Sequence, residues 1–557
     1  MHIPILLLII GVPALLSWPL GRYLTRVMHP DARTGTLHAT IECWILRIAG
    51  SAGYRSQNWK TYAVSLLVVN GLMFIVGGGI LAFQQWLPWN PDGRGGLDPS
   101  LVFHTAASFL TNTNQQHYAG EVSLSHFSQV FGLMWLQFLS AATGLAALAA
   151  LARVLAGSID VGNFFQDLLR ATILVLLPLS LASAVLLVLA GVPMTLEGAV
   201  TVRTLEGVMQ SIARGPVAAF VAIKQVGTNG GGFFGANAAH PFENPSQLTN
   251  AIECALIFLL PMSSVWMFGR ITRRMRHAIV IWAVMAILLA SMVVLADAGE
   301  HAPARAMAGL PVQVAPNLEG KELRCGVAAS SLWGAATTAT SNGSVNSMHD
   351  SFNPLTSLVT LSGMWMNVAF GGVGVGFLNM FIYIIIGVFI SGMMVGRTPE
   401  YFNRRVETPE MKLAVLTLLL HPFLILGGTA LFAVTGWGGS AIHNPGAHGF
   451  TEILYEFSSA AANNGSGFEG LADATPAWNV VTGMIMLAGR FIPILLPLAI
   501  GGLLATKKST PETSGTLRTD TVLFGVIIAG CVVFIGALLF LPVAVLGPMA
   551  EHLTAGM

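Results

Sequence analysis

Ten long apolar stretches divide this chain, and they constrain its fold more than any other feature. A transmembrane helix needs about 20 mostly apolar residues. Of all residues, 54% are hydrophobic and only 10% are charged, against roughly 25% charged residues in an average soluble protein. The sequence therefore predicts an all-α polytopic membrane protein with ten transmembrane helices. The stretches cover residues 3–24, 62–85, 125–152, 171–190, 248–268, 278–296, 371–396, 413–435, 478–505 and 520–545.

The distribution of basic residues predicts which connections face the cytoplasm. Cytoplasmic loops carry an excess of Lys and Arg. Here 19 of the 27 Lys and Arg residues fall in residues 22–60, 153–170, 270–277, 397–412 and 506–519. The first basic residue, Arg22, follows the first apolar stretch, which is the reverse of the order in a cleavable signal peptide. We therefore expect a retained first helix and both termini outside.

Four outer connections repeat one pattern, in which a short helix-like stretch ends in small polar residues. The four ends read NTN, TNG, SNG and NNG, and we call them tips one to four; they are residues 112–114, 228–230, 341–343 and 463–465. Such self-similarity indicates a repeated unit, here a membrane helix, a short helix, a tip and a second membrane helix. The four units would cover 61–152, 170–269, 277–396 and 412–505. Residues 1–60 would hold a first helix and loop, and residues 519–557 a last helix and tail.

The short helices suit a pore. At roughly 10–14 residues they cannot cross a bilayer, and irregular backbone at membrane depth is tolerated only inside protein or along a water-filled path. Backbone carbonyls of four such turns can replace the hydration shell of an ion, and helix C-terminal ends add partial negative charge. The tips contain no Asp or Glu. The pattern therefore favours a weakly hydrated monovalent cation such as K⁺ over a divalent cation, which normally recruits carboxylates.

The glycine run 230–232 has two interpretations. Alone, such a run is most often a flexible linker or a helix-packing feature. At the end of a short helix, Gly230 would let successive carbonyls point the same way, as would Gly343 and Gly465 in their tips. Tip one has Asn114 at this position, and Asn tolerates left-handed backbone better than most residues. This asymmetry favours a tight binding site over a fast conduit for many ions.

Several motifs resemble those of one known family. The motifs are TNTNQQHYAG (111–120), GTNGGGFFGAN with HPFENP (227–245), MHDSF (348–352), FGGVGVG (370–376), GRTPEY (396–401) and NNGSGFEGL (463–471). From near Arg22 to the last apolar stretch, the chain resembles the potassium-binding A subunit of the Kdp-type potassium-transporting ATPase. The resemblance implies a channel-like fold with fourfold pseudosymmetry. It also implies a bacterial inner-membrane complex with a P-type ATPase catalytic subunit and two small membrane subunits, which imports K⁺ with high affinity.

By motif matching, the resemblance implies a K⁺ selectivity filter at the four tips. K⁺ would be the bound substrate, ATP would act only through a partner subunit, and no organic cofactor is implied. The filter residues would be Asn112, Thr113, Asn114, Gln116, Thr228, Asn229, Gly230, Ser341, Asn342, Gly343, Asn463, Asn464 and Gly465.

Two further features suggest control of ion passage. Arg490 lies inside the ninth apolar stretch, where an ionisable residue is a functional candidate by default. It would form an electrostatic barrier or brace a gate, and the alternative is a snorkelling side chain. The motif FGGVGVG places Gly371, Gly372 and Gly374 at the start of the seventh stretch, after a lead-in that we expect to be non-helical. These glycines would form a hinged or broken helix that gates the pore below tip three, or they would allow close helix packing.

Other function classes are disfavoured. A net charge of +1 argues against a nucleic-acid partner. The sequence has neither a GxxxxGK[ST] phosphate loop nor a DKTGT phosphorylation motif, so we do not expect the chain itself to hydrolyse ATP. The main hypothesis is a channel-like K⁺-binding and translocation subunit of an ATP-driven importer. The alternatives are a Trk/Ktr-type uptake protein with a regulatory subunit and a membrane enzyme built around His349 and Asp350.

Overall fold

A computed structural model describes residues 3–29, 42, 46–47, 50–304, 315–394, 396–509 and 517–554. Within these ranges, ten helices are long and apolar enough to cross a membrane, as the sequence predicts. The longer helices are α1 (Ile3–Val27), α2 (Trp59–Ala82), α3 (Pro99–Leu110), α4 (Ser128–Leu155), α5 (Phe164–Leu189), α6 (Val217–Val226), α7 (Gln247–Ile271), α8 (Met275–His301), α9 (Val327–Ala339), α10 (Pro354–Met366), α11 (Val375–Met394), α12 (Thr408–Ala433), α13 (Ala447–Ala462), α14 (Pro476–Thr506) and α15 (Val522–Thr554).

The remaining elements are short. Helices α4, α5 and α15 include π-helical stretches at Ser128–Met134, Ala171–Leu176 and Val545–Met549. Single helical turns lie at Gly50–Gly53, Gln84–Trp86, Gly120–Ser123, Asn237–Ala239 and Gly436–Gly439. Two antiparallel pairs of strands occur in the connections: β1 (Val200–Arg203) with β2 (Met209–Ile212), and β3 (Glu400–Tyr401) with β4 (Arg404–Arg405).

The membrane helices form an inner and an outer layer. In the helices that follow a tip, more than half of the residues in the apolar segment are buried: 94% in α4, 72% in α7, 78% in α11 and 56% in α14. The helices α2, α5, α8 and α12, which precede a short helix, bury 22%, 28%, 44% and 33% of theirs. The alanine-rich stretch from Ala141 to Ala152 is buried on all sides of α4, since small residues allow helices to approach closely. The inner layer therefore surrounds the tips.

The four expected short helices, α3, α6, α9 and α13, are present and each precedes one tip. At the start of α3, the side chain of Asp98 accepts a hydrogen bond of 2.8 Å from the amide of Ser100, with Pro99 as the first helical residue. This is a typical N-cap.

One expectation about the third unit is wrong. The segment before FGGVGVG is not non-helical, because it forms helix α10. Helical structure is then interrupted between Met366 and Val375. Helix α10 ends at Met366, and the next residue, Asn367, has left-handed backbone with φ of 47°. Its apolar run is too short for a membrane-spanning segment, so counting apolar residues does not reveal it. The third unit therefore contains a broken helix, α10 and α11, where the others have a continuous one.

Candidate ion-binding site

The four tips lie at the C-terminal ends of α3, α6, α9 and α13. Every tip residue is buried except Gly465, which is partly buried. Because each tip directly follows its helix, the negative ends of four helix dipoles face them. The surroundings therefore favour a cation without any carboxylate in the tips.

The first and third residues of every tip have left-handed backbone. The φ angles are 65° and 56° in tip one, 49° and 86° in tip two, 49° and 91° in tip three, and 53° and 108° in tip four. Thr228 is among these residues although β-branched side chains rarely adopt positive φ. For residues other than glycine, such conformations cost on the order of 1–3 kcal/mol each, and they cluster at ligand sites. Four different sequences therefore share one strained backbone.

The tips contact one another in a closed order. At three seams, a Cβ on the third residue of one tip would overlap the middle carbonyl oxygen of the next tip. These close approaches are Gly230 to Asn342, Gly343 to Asn464, and Gly465 to Thr113. Only glycine fits at such an approach of backbone to backbone. The tips thus meet in the order two, three, four and one.

The fourth seam, between tips one and two, explains the glycine run. Asn114 has a Cβ where the other tips have none, and a Cβ on Gly231 would lie 2.8 Å from it. Gly231 therefore leaves the space that Asn114 occupies. The next glycine, Gly232, donates its amide hydrogen to Gln116 Oε1 at 2.8 Å, and its oxygen accepts from Gln116 Nε2 at 3.0 Å. The Gln116 side chain thus joins tip one to the segment after tip two.

The middle residues of the tips supply four free carbonyl oxygens. Each middle amide hydrogen is directed back into its own helix, to the carbonyl of Ser108, Lys224, Thr337 or Ser459, at 2.9–3.0 Å. In the part of the chain that the structure describes, none of the four middle carbonyl oxygens accepts a hydrogen bond. These oxygens belong to Thr113, Asn229, Asn342 and Asn464. We call the carbonyl oxygens at the same position of the four tips a level. Buried carbonyls are normally paired, so four unpaired oxygens at the middle level indicate a ligand position.

At the other levels, at least one carbonyl oxygen is already occupied. Side-chain amides donate to the first residue of tip two, to the last residue of tip two and to the residue before tip four. The pairs are Asn112 Nδ2 to Thr228 O at 2.7 Å, Asn237 Nδ2 to Gly230 O at 2.6 Å, and Asn367 Nδ2 to Ala462 O at 3.0 Å. Only the middle level therefore offers four free oxygens.

A buried ion pair behind tip two was missed by the sequence analysis. Lys224 and Glu243 are fully buried and form a salt bridge, and Lys224 Nζ also donates to Asn237 Oδ1 at 2.7 Å. Since Asn237 in turn holds the Gly230 oxygen, the pair fixes the backbone of tip two. The available signal was that Lys224 is the only lysine or arginine in the four short helices.

A cavity adjoins the first residues of three tips. Asn112, Ser341 and Asn463 line it, together with Gly372 and Arg490. The cavity has a volume of about 60 Å³, enough for roughly four waters. An ion that leaves the tips on this side would enter the cavity.

Arg490 lies buried beside this cavity. Its Nη2 donates to the carbonyl oxygen of Ser140 in α4 at 2.9 Å, and no carboxylate of the described residues lies within 4.0 Å of its guanidinium. A Cβ on Gly144, one turn further along α4, would lie 3.3 Å from Arg490 Nη2. The guanidinium is therefore held by backbone oxygen and is not neutralised by an acid.

The glycines of FGGVGVG lie directly below tips two and three. Gly372 and Gly374 have φ of 89° and 78°, and a Cβ on Gly372 would lie 3.2 Å from the oxygen of Thr340. The amide of Val373 donates to Thr228 Oγ1 at 3.1 Å. The break between α10 and α11 thus touches the tips themselves.

The residues of the enzyme alternative do not form a catalytic pair. His349 Nδ1 lies 2.8 Å from the hydroxyl of Tyr455, and its Nε2 has no partner among the described residues. Burial, together with the nearby charge of Lys321, lowers the pKa of His349 to about 3. The hydroxyl of Ser347 likewise has no partner within the described ranges. Neutral, buried and without a nucleophile, His349 anchors a loop.

Comparisons with known proteins identify the family of this chain. The family model of the potassium-transporting ATPase A subunit matches residues 7–553. The potassium-transporting ATPase potassium-binding subunit of Geobacillus kaustophilus (strain HTA426) is 46% identical over 553 residues, which are 99% of this chain and 98% of that protein. Among solved structures, the potassium transporter TrkH from Vibrio parahaemolyticus is similar in fold, with a TM-score of 0.52 and 14% identity. The alignment covers 88% of this chain and 97% of TrkH.

The likeness to TrkH concerns the fold alone, whereas the family match extends over nearly the whole sequence. The chain belongs to the potassium-transporting ATPase A subunit family.

Proposed function

We propose that this chain is the K⁺-binding and translocation subunit of an ATP-driven potassium importer. The observation that carries the proposal is the set of four free carbonyl oxygens at the middle level of the tips. Carbonyl oxygens can replace the hydration shell of K⁺, and the four helix ends add partial negative charge. The absence of carboxylates in the tips disfavours hard divalent cations.

The number of complete levels decides the mode of transport. Channel filters conduct fast because ions at adjacent sites displace one another. Here side-chain amides occupy one oxygen at each level next to the middle one, so a single level has the full set. One complete level suits tight capture of one K⁺ ion at a time, and the remaining filter residues hold that level in shape.

Release would proceed through the cavity below the tips. Arg490 would act there as an electrostatic barrier, since its charge has no acidic partner nearby. The broken helix at Gly371, Gly372 and Gly374 would be the gate, because it contacts tip two directly. K⁺ would not pass this barrier unaided.

The energy would come from a partner. We infer a complex with a P-type ATPase catalytic subunit and two small membrane subunits in a bacterial inner membrane. Both termini of this chain would lie outside, and K⁺ would enter from outside. ATP would act only through the partner, and the chain would need no organic cofactor.

Mild-detergent purification of the complex tests the proposal. The expected result is a co-purifying subunit that is phosphorylated by ATP and whose hydrolysis is stimulated by K⁺ at low concentration and far less by Na⁺. Asn464→Asp adds a carboxylate to tip four, so this variant should show a weaker preference for K⁺ over Na⁺ than the parent complex. K⁺ uptake into vesicles by the chain alone, without ATP, would instead favour a Trk/Ktr-type uptake protein and contradict the proposal.

A further inference from the structure

A second group of ligand-type side chains lies beyond the tips. His117 follows tip one, Glu456 belongs to α13, and Asp473 lies in the loop before α14. The Nε2 of His117 is 3.0 Å from Glu456 Oε1 and 3.6 Å from Asp473 Oδ2. One ligand atom from each residue lies within 4.8 Å of the other two. The group spans the seam between tips four and one.

The imidazole of His117 is held in the orientation of a metal ligand. Its Nδ1 lies 2.7 Å from Asn479 Oδ1, while Asn479 Nδ2 donates to the hydroxyl of Ser100 at 3.0 Å. Because the Ser100 hydroxyl donates its hydrogen to Asp98 Oδ1, it accepts from the amide nitrogen of Asn479, whose oxygen then faces the imidazole; an amide oxygen can only accept. Nδ1 therefore carries a hydrogen, and Nε2 is directed at the two carboxylates, so that it would bind a metal once it releases its own hydrogen. Metal-bound histidines are held in this way through their other ring nitrogen.

Unpartnered polar atoms accompany this geometry. Glu456 is 1% exposed, and its Oε2 has no hydrogen-bond partner among the described residues. His104 stacks on His117 with ring centroids 3.7 Å apart, and neither of its ring nitrogens has a partner within the described ranges. Because buried polar groups are nearly always paired, the unpaired second oxygen of the carboxylate that contacts His117 calls for a ligand.

The donor set selects the ion. One imidazole nitrogen and two carboxylate oxygens are ligand types that Zn²⁺ accepts, and an open Zn²⁺ site has three protein ligands. Ca²⁺ and Mg²⁺ prefer oxygen donors alone. The side chain of Asp473 is 22% exposed, which gives an ion access from the protein surface. We propose that His117, Glu456 and Asp473 bind Zn²⁺, which clamps the loop after tip one to the helix of tip four.

Zinc titration of the complete complex, stripped with a chelator beforehand, tests this proposal. Titration with Zn²⁺ against a chromophoric competitor should give one site that requires His117. Loss of an outer-shell partner typically weakens metal binding about 10- to 100-fold, so Asn479→Ala, which keeps all three ligands, should weaken Zn²⁺ binding by that factor. His117→Gln removes a ligand and should weaken Zn²⁺ binding at least as much. Elution of each variant at the position of the intact complex would show that assembly persists.

The chain provides its own control. A separate group, Asp350, His448 and Glu452, also brings three ligand-type atoms together. Asp350→Asn should leave the His117-dependent site unchanged. Absence of bound Zn²⁺, equal binding by parent and His117→Gln, or loss of the site in Asp350→Asn alone would each overturn the proposal.

Discussion

Replacing Gly465 by alanine tests the backbone geometry of the tips. Gly465 has φ of 108°, and a Cβ there would overlap the carbonyl oxygen of Thr113. That oxygen belongs to the proposed ring and to backbone, which cannot rotate away like the end of a flexible side chain. We expect Gly465→Ala to displace this oxygen from the bound ion.

The size of the effect follows from the cost of the strain. A non-glycine residue in such backbone costs on the order of 1–3 kcal/mol. If binding bears this cost, K⁺ affinity falls by roughly 5- to 150-fold, since about 1.4 kcal/mol corresponds to a factor of ten. The loss should exceed any loss of stability, because the rest of the tip retains its contacts.

The assay is K⁺-stimulated ATP hydrolysis by the purified complex, with the half-maximal K⁺ concentration as the readout. Gly467→Ala is the matched control, because a Cβ there would meet only Glu456 Oε2 at 3.5 Å, an ordinary contact. The control should keep the K⁺ dependence of the parent. Equal shifts in the two variants would show that packing matters and backbone geometry does not. An unshifted Gly465→Ala complex would refute the reasoning.

Three further predictions concern the barrier, the ion pair and the topology. Arg490→Ala should permit ATP-independent K⁺ leak into vesicles, whereas Arg490→Lys should show no such leak. If neither variant leaks and both remain fully active, Arg490 is not the barrier. Lys224→Met should destabilise the complex by about 3–5 kcal/mol, because it leaves the charge of Glu243 buried without a cation. Thermal unfolding measures the loss, and adding Glu243→Gln should recover part of it; an unchanged stability of the single variant would contradict this prediction. A cysteine label at Arg274 should be protected from outside reagents while one at Asn444 reacts, and the reverse pattern would overturn the predicted orientation.

Much of the fold could be predicted because each membrane helix leaves a local record. A helix in lipid must be apolar over its whole length, so all ten appear in the sequence as apolar stretches. The tips were likewise predictable, since four similar polar ends recur at matching places. Helix α10 was not, because a short helix packed inside protein needs no long apolar run.

The arrangement within the site could not be predicted, since it depends on contacts between distant segments. That Gly231 makes room for Asn114, and that Gln116 pairs with Gly232, follows only once tips one and two lie side by side. Lys224 is a lone charge in the sequence until Glu243 folds against it. Sequence patterns therefore located the tips, and the structure is needed to show which of their oxygens are free.

The most direct test of the account is to locate the bound ion. Anomalous scattering from crystals of the complex grown in Rb⁺ or Tl⁺, which replace K⁺, would reveal its position. The account predicts one strong peak at the tips, equidistant within error from the oxygens of Thr113, Asn229, Asn342 and Asn464. A peak of equal strength at another level of the tips, or none there, would contradict it.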